Sequence, residues 1–311
     1  MKIDAHIHFT PPELAQNLKA FAEQEPYWGL LLDPPEGGSI QGWASPERMI
    51  ADMDAAGIDR VVIVGEYFQQ HEACVARNNQ AIDLVNRWPE RILALATIQP
   101  NAGQAGLDEL DRCLDAGLQG VGELNPYAQG YELVDKPFFK LVERCIEADV
   151  PLNLHVSEEI GGYYLGKSTT PLRHYYALAC RYPELKLILA HWGGGLFLYE
   201  IMPRVRRQLA NVWYDTAATP LLYPVKKIFT TALTCIDHKK ILYGSDYPLL
   251  IYPRKMTGPD LRPLIASIDK LGLDEEPYAD IMGLNAARLF GLIPSHAVKS
   301  TAKTPEADHL L

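Results

Sequence analysis

The chain has no apolar run near the roughly 18 residues that a membrane-spanning helix needs. Its opening, MKIDAHIHF, has no apolar core and no cleavage signal, so no secretory leader is expected. A basic excess is also missing: 29 Lys and Arg stand against 39 Asp and Glu, a formal net charge of −10. That balance speaks against a nucleic-acid partner, which usually needs a basic face, and against an anionic membrane surface. Cysteine is sparse. Cys74, Cys113, Cys145, Cys180 and Cys235 are odd in number and scattered, and no Cys-x-x-Cys pair occurs. They are expected to be reduced thiols packed inside helices of a cytoplasmic protein. No Gly-x-Gly-x-x-Gly follows the first apolar run, so a dinucleotide fold loses support. Internal repeats and low-complexity tracts are absent too. What remains is an acidic chain of 311 residues, 48% hydrophobic, that suits one α/β barrel and small-molecule chemistry. A homo-oligomer is compatible with it, but the sequence specifies no oligomeric state.

Eight short apolar runs recur: KIDAHIHF, RVVIVG, ILALATIQ, GVGEL, VPLNLHV, LKLILAH, NVWYDTA and KKILYGSD. Several are apolar throughout, as parallel strands buried on both faces should be. Helical patterns separate them, at residues 46–56, 107–116, 136–148, 171–182, 197–209 and 223–233. Gly57 and Gly117 follow two of these as stop signals. Strands alternating with helices predict a parallel sheet, and eight units predict a closed (β/α)8 TIM barrel. Two further helical patterns, 259–271 and 276–289, predict extra C-terminal helices. The expected organisation is a single barrel domain over 1–292 and a loose tail over 293–311. A Pro/Gly-rich insertion over 27–43 is long enough to form a lid or wall.

The informative residues are polar ones that interrupt or end the strands. His6 and His8 lie two apart in the first run, so alternation puts them on one face. Two buried imidazoles are costly unless something binds their nitrogens. His155, His191 and Asp246 end the fifth, sixth and eighth runs, where barrel enzymes build their sites. Imidazole plus carboxylate suits Zn2+ or another divalent metal. Glu123 ends the fourth run and would point at the same site, where a carboxylate can bridge two cations.

These residues resemble the amidohydrolase superfamily. Asp-Ala-His-Ile-His matches its His-x-His on strand one, and His155, His191 and Gly-Ser-Asp246-Tyr-Pro match its later strand ends. The likeness is greater to the amidohydrolase-related branch that includes aminocarboxymuconate semialdehyde and γ-resorcylate decarboxylases. It rests on DAHIHF, residues 53–59, NNQAIDLVNRWPERILALATIQP and YGSDYP, and it covers roughly residues 1–292. The resemblance implies a barrel whose metal ligands are His6, His8, His155 and Asp246, with His191 a ligand or an acid/base. The decarboxylases of this branch lack an acidic residue after strand four. Glu123 stands where other superfamily members carry a bridging carboxylated lysine or glutamate, which implies a two-metal hydrolase.

The expected activity is therefore metal-dependent hydrolysis of a small amide, ester or lactone, with zinc the expected metal, one or two per chain. Asp246 would act as general base on metal-activated water. His191 would bind a second metal or polarise the substrate. The alternative is a one-metal, non-oxidative decarboxylase, in which Asp246 and His191 move a proton onto the carbon that loses CO2. Arg254, Tyr127, Tyr163 and Tyr164 are the expected substrate-binding residues. His71, His174 and His238 are expected to be structural, and Glu158 and Glu159 to solvate a loop.

Overall fold

The computed structural model describes residues 1–10, 12–35 and 38–294, without the side chains of Pro12 and Glu13. The tail predicted over 293–311 therefore lies almost wholly outside the described residues. All eight predicted strands form: β1 (Ile3–Ile7), β2 (Arg60–Ile63), β3 (Ile92–Ala94), β4 (Val121–Leu124), β5 (Leu152–Leu154), β6 (Leu187–Leu189), β7 (Val212–Asp215) and β8 (Ile241–Leu242). They run in sequence order and in parallel, β1 to β3 in one sheet and β4 to β8 in another. Bridges Ala96–Val121 and Ile7–Tyr247 join the two sheets. Backbone bonds Ala5 N–Tyr243 O (2.7 Å) and Gly122 N–Ala96 O (3.0 Å) tighten the same seams. The ring is a (β/α)8 barrel, with additional C-terminal helices at Arg262–Asp269, Glu275–Ala279 and Asn285–Leu289.

Local chemistry explains the elements. In the helix Pro46–Ala56, Ser45 Oγ accepts from Arg48 N, Pro46 opens the first turn, and Gly57 closes it at φ 65°. The predicted 197–209 helix does not form as one piece. After β6, His191, Trp192, Gly193, Gly194 and Gly195 all hold positive φ. This turn leads through 3-10 geometry to Ile201, and an α-helix starts only at Pro203. Three glycines in a row remove the steric preference for a right-handed helix. A 17-residue helix, His71–Arg87, goes unpredicted by the apolar spacing. The insertion is partly helical: Pro26 opens the helix Pro26–Leu32, which follows Leu18–Gln24.

Candidate metal centre

The strand ends bring six of the predicted residues together. His6 lies within β1 and His8 just past it, with ring centroids 5.2 Å apart. Glu123 is in β4, and His155 follows β5 directly. His191 sits two residues beyond β6, and Asp246 follows β8 in the turn Gly-Ser-Asp. All six are buried.

Glu123 is the hub. Its Oε1 lies 2.9 Å from His155 Nδ1 and 3.3 Å from His191 Nε2. Its Oε2 lies 3.6 Å from His8 Nε2 and 3.8 Å from His6 Nε2. Asp246 Oδ1 approaches His8 Nε2 to 3.4 Å and His6 Nε2 to 3.9 Å, and Oδ2 is 3.9 Å from His191 Nδ1. His6, Glu123 and His191, and likewise His6, His8 and Asp246, present donor atoms mutually close enough to hold one cation.

The backbone is bent to achieve this. His191 and Asp246 hold φ of 57° and 67°. Each such non-glycine residue costs on the order of 1–2 kcal/mol, and strain of this kind collects at functional sites. Gly244, two residues before Asp246, has no room for a side chain: a Cβ there would lie 2.7 Å from His6 Cβ.

A cation fits this donor set. His6 Nε2 and Asp246 Oδ1 are buried and lack a hydrogen-bond partner among the described residues. Leaving a buried polar atom unpaired costs about 1–3 kcal/mol, and both atoms face the same spot. His6 is held in the tautomer a metal needs: its Nδ1 donates to Asp215 Oδ2 at 2.8 Å, which leaves the Nε2 lone pair for a ligand bond. Asp215 Oδ1 meanwhile accepts from the backbone of His191 (2.9 Å) and Ala217 (3.1 Å). One carboxylate thus orients residues from two strand ends. Sequence reasoning passed over Asp215, although it ends the seventh apolar run by the same rule that picked out the others.

The electrostatics are those of a negative cage around imidazoles. Burial alone would lower the His6 imidazolium, but Asp215, Glu123 and Asp246 raise it to about 10. For His191, burial is likewise outweighed by Glu123 and Asp246, and it rises to about 9. For His8, burial outweighs Asp246 and Glu123, the neighbouring His6 and His191 imidazoles add to it, and it falls to about 4. Burial would raise the Glu123 carboxyl, yet the His155 and His6 imidazoles hold it well below the usual range.

The centre opens into a cavity of about 460 Å3. His8, Glu123, His155, His191 and Asp246 gather its polar end, and Trp28, Tyr67 and several leucines line the rest. The insertion contributes Trp28, Leu31, Pro34 and residues 38–41, so it does wall the site. Of the four expected substrate-binding residues, only Tyr164 lines the cavity, with its hydroxyl donating to Glu158 Oε2 at 2.9 Å. The other three do not line it. Tyr163 is 82% exposed and Tyr127 51% exposed, its ring 6.0 Å from Tyr27. Arg254 is exposed in the loop after β8. Loop position alone does not fix where a side chain points. Trp28 and Tyr67 went unpredicted because aromatic residues outside the strands carry no periodic signal.

The described residues include no helix long and apolar enough to cross a membrane. Among curated proteins, the chain is 24% identical over 251 residues to 2-amino-3-carboxymuconate-6-semialdehyde decarboxylase of Dictyostelium discoideum. That match covers 70% of this chain and 66% of the relative, so the chain spans just under two thirds of it. It is 26% identical over 306 residues to 4-sulfomuconolactone hydrolase of Rhizobium radiobacter, covering 93% and 90%. Among solved structures, it superposes on 5-carboxyvanillate decarboxylase of Novosphingobium aromaticivorans, complexed with manganese and 4-hydroxy-3-methoxy-5-nitrobenzoic acid. The TM-score is 0.73 at 18% identity over 94% of this chain and 96% of that one, a likeness of fold.

These findings correct the principal functional expectation. The expectation of hydrolysis rests on Glu123, yet one curated relative and several of the solved structures with this fold are decarboxylases, which favours the alternative. The physical reason is that a carboxylate set among four imidazoles serves one metal as readily as two. Its presence after β4 therefore does not select hydrolysis. A model of the amidohydrolase family matches residues 3–292, and the chain belongs to that family of enzymes.

Proposed function

We propose that the protein is a metal-dependent, non-oxidative decarboxylase of a small carboxylic acid. The observation that carries this reading is the cavity's division: the lining histidines and carboxylates gather at one end, and the remainder is largely apolar. A substrate carboxylate can reach the polar end while its carbon skeleton lies against the apolar walls. Loss of CO2 disperses charge, so a dry environment favours it.

His6, His8, His155 and Asp246 are the proposed metal ligands, with Glu123 and His191 completing the donor set. Imidazole and carboxylate without thiolate suit zinc and manganese alike, and zinc remains the proposed ion. A bound divalent ion supplies Lewis-acid charge that neutralises substrate oxygens. Asp246 holds the proton that passes to the carbon bearing the carboxylate. The carbon–carboxylate bond breaks, its electron pair stays with the carbon skeleton, CO2 leaves, and Asp246 regains a proton from water. His191, 3.9 Å from Asp246, stabilises the carboxylate left behind. Asp215 orients His6 and the His191 backbone.

The test is CO2 release by zinc- or manganese-loaded protein from a series of small carboxylic acids. The loaded protein is expected to release CO2 from at least one acid, and chelator-treated protein to release none. Turnover that survives complete metal removal would contradict the reading.

A further inference from the structure

From the cavity walls we infer the substrate class, an inference that rests on the decarboxylase reading: a monocarboxylate whose planar, unsaturated body carries no second charge. Three observations point there. The body of the cavity is built from Trp28, Leu31, Leu165, Leu221, Leu222 and Leu249. Trp28 and Tyr67 meet edge to face at 4.7 Å and form one aromatic wall, against which a flat ring or conjugated chain can lie. And among the described residues no lysine or arginine lines the cavity.

The neighbouring cations are already committed. Lys167, beside the lining residue Gly166, turns its Nζ to Glu158 Oε1 at 3.2 Å and to the Gly161 and Gly162 carbonyls. Arg77 is buried against Glu66 at 2.6 Å and donates to the Phe9 carbonyl at 2.7 Å. A first substrate carboxylate has the metal centre to answer it. A second one, carried on the far side of the ring, would lie against leucines with no cation. Burying an unpaired charge in such a wall is strongly unfavourable. The same geometry tolerates hydroxyl or ether substituents near Tyr164 and Gln41, which line the cavity and offer neutral polar groups.

The experiment compares benzoate with isophthalate, its counterpart bearing a second carboxylate, on metal-loaded protein. Binding is followed by fluorescence of Trp28, with Trp28→Phe identifying that tryptophan's share of the signal. This readout needs no turnover. Benzoate is expected to bind at least about 30-fold more tightly than isophthalate, the scale of an uncompensated charge. Leu222→Arg, at a half-buried position, is expected to bring isophthalate to within about threefold of benzoate. Equal binding of the two acids by the wild-type protein would overturn the inference, as would no binding of benzoate at millimolar concentration. Tight monocarboxylate binding without CO2 release from any acid would overturn the decarboxylase reading and leave this one standing.

Discussion

Asp246 carries the sharpest expectation at the scale of single residues. Asp246→Asn keeps the size of the side chain and one ligand oxygen, but it cannot hold and return a proton. Turnover should fall about 100-fold or more, the usual scale of lost acid/base catalysis, while the fold and most of the metal are retained. Elemental analysis and steady-state kinetics of the variant check both halves. Near-wild-type turnover would remove the role, and lost metal would make Asp246 chiefly a ligand. Asp215 predicts a different signature. Asp215→Asn weakens the hydrogen bond that fixes the His6 tautomer, so metal affinity should drop by about 10- to 100-fold. A chelator competition titration measures this. Unchanged affinity would mean that barrel packing alone orients His6.

The elements explain which parts of the site were legible beforehand. Glycine 244 exists because two strands meet there: its missing Cβ leaves the space that His6 occupies. Gly244→Ala should therefore cost about 1–3 kcal/mol by overpacking, read as a lower urea midpoint with an unchanged slope, and should weaken metal binding. A variant as stable as wild type would show that β1 can shift freely. The strands could be read from sequence because parallel strands buried on both faces are apolar throughout, so each polar residue at their ends stood out. The helix His71–Arg87 could not, because polar residues occupy its buried face. Asn78 bonds both backbone groups of Thr97, and Arg77 answers Glu66. Those side chains break the apolar period while doing interior work. The 197–209 segment failed for the opposite reason. Its apolar spacing is real, but the glycine turn that carries His191 and the late start at Pro203 divide it. Loop residues such as Arg254 and Tyr163 follow no period, and their positions depend on a path that the pattern does not encode.

For the whole molecule, the metal centre links stability to pH. Without metal, the carboxylate cage favours protonated His6 and His191, raised to about 10 and 9 against the opposing effect of burial. A metal binds only the neutral imidazoles, so binding must expel protons and weakens as pH falls. The rise in Tm on adding zinc or manganese should thus be larger at pH 8 than at pH 6. At a free metal concentration of 100 times Kd, the stabilisation amounts to about 2.7 kcal/mol. Calorimetry in two buffers of different ionisation enthalpy reports the proton release directly. A metal-induced Tm shift independent of pH would contradict the cage. The most direct test of the central claim follows the carbon. Metal-loaded protein is incubated in deuterated water with acids labelled with 13C at the carboxyl carbon. The account predicts labelled CO2 and bicarbonate, together with a product carrying one deuterium at the carbon that lost the carboxylate, and both formed about 100-fold or more slowly with Asp246→Asn. Label retained in every acid, while the same protein opens a lactone or ester, would contradict it.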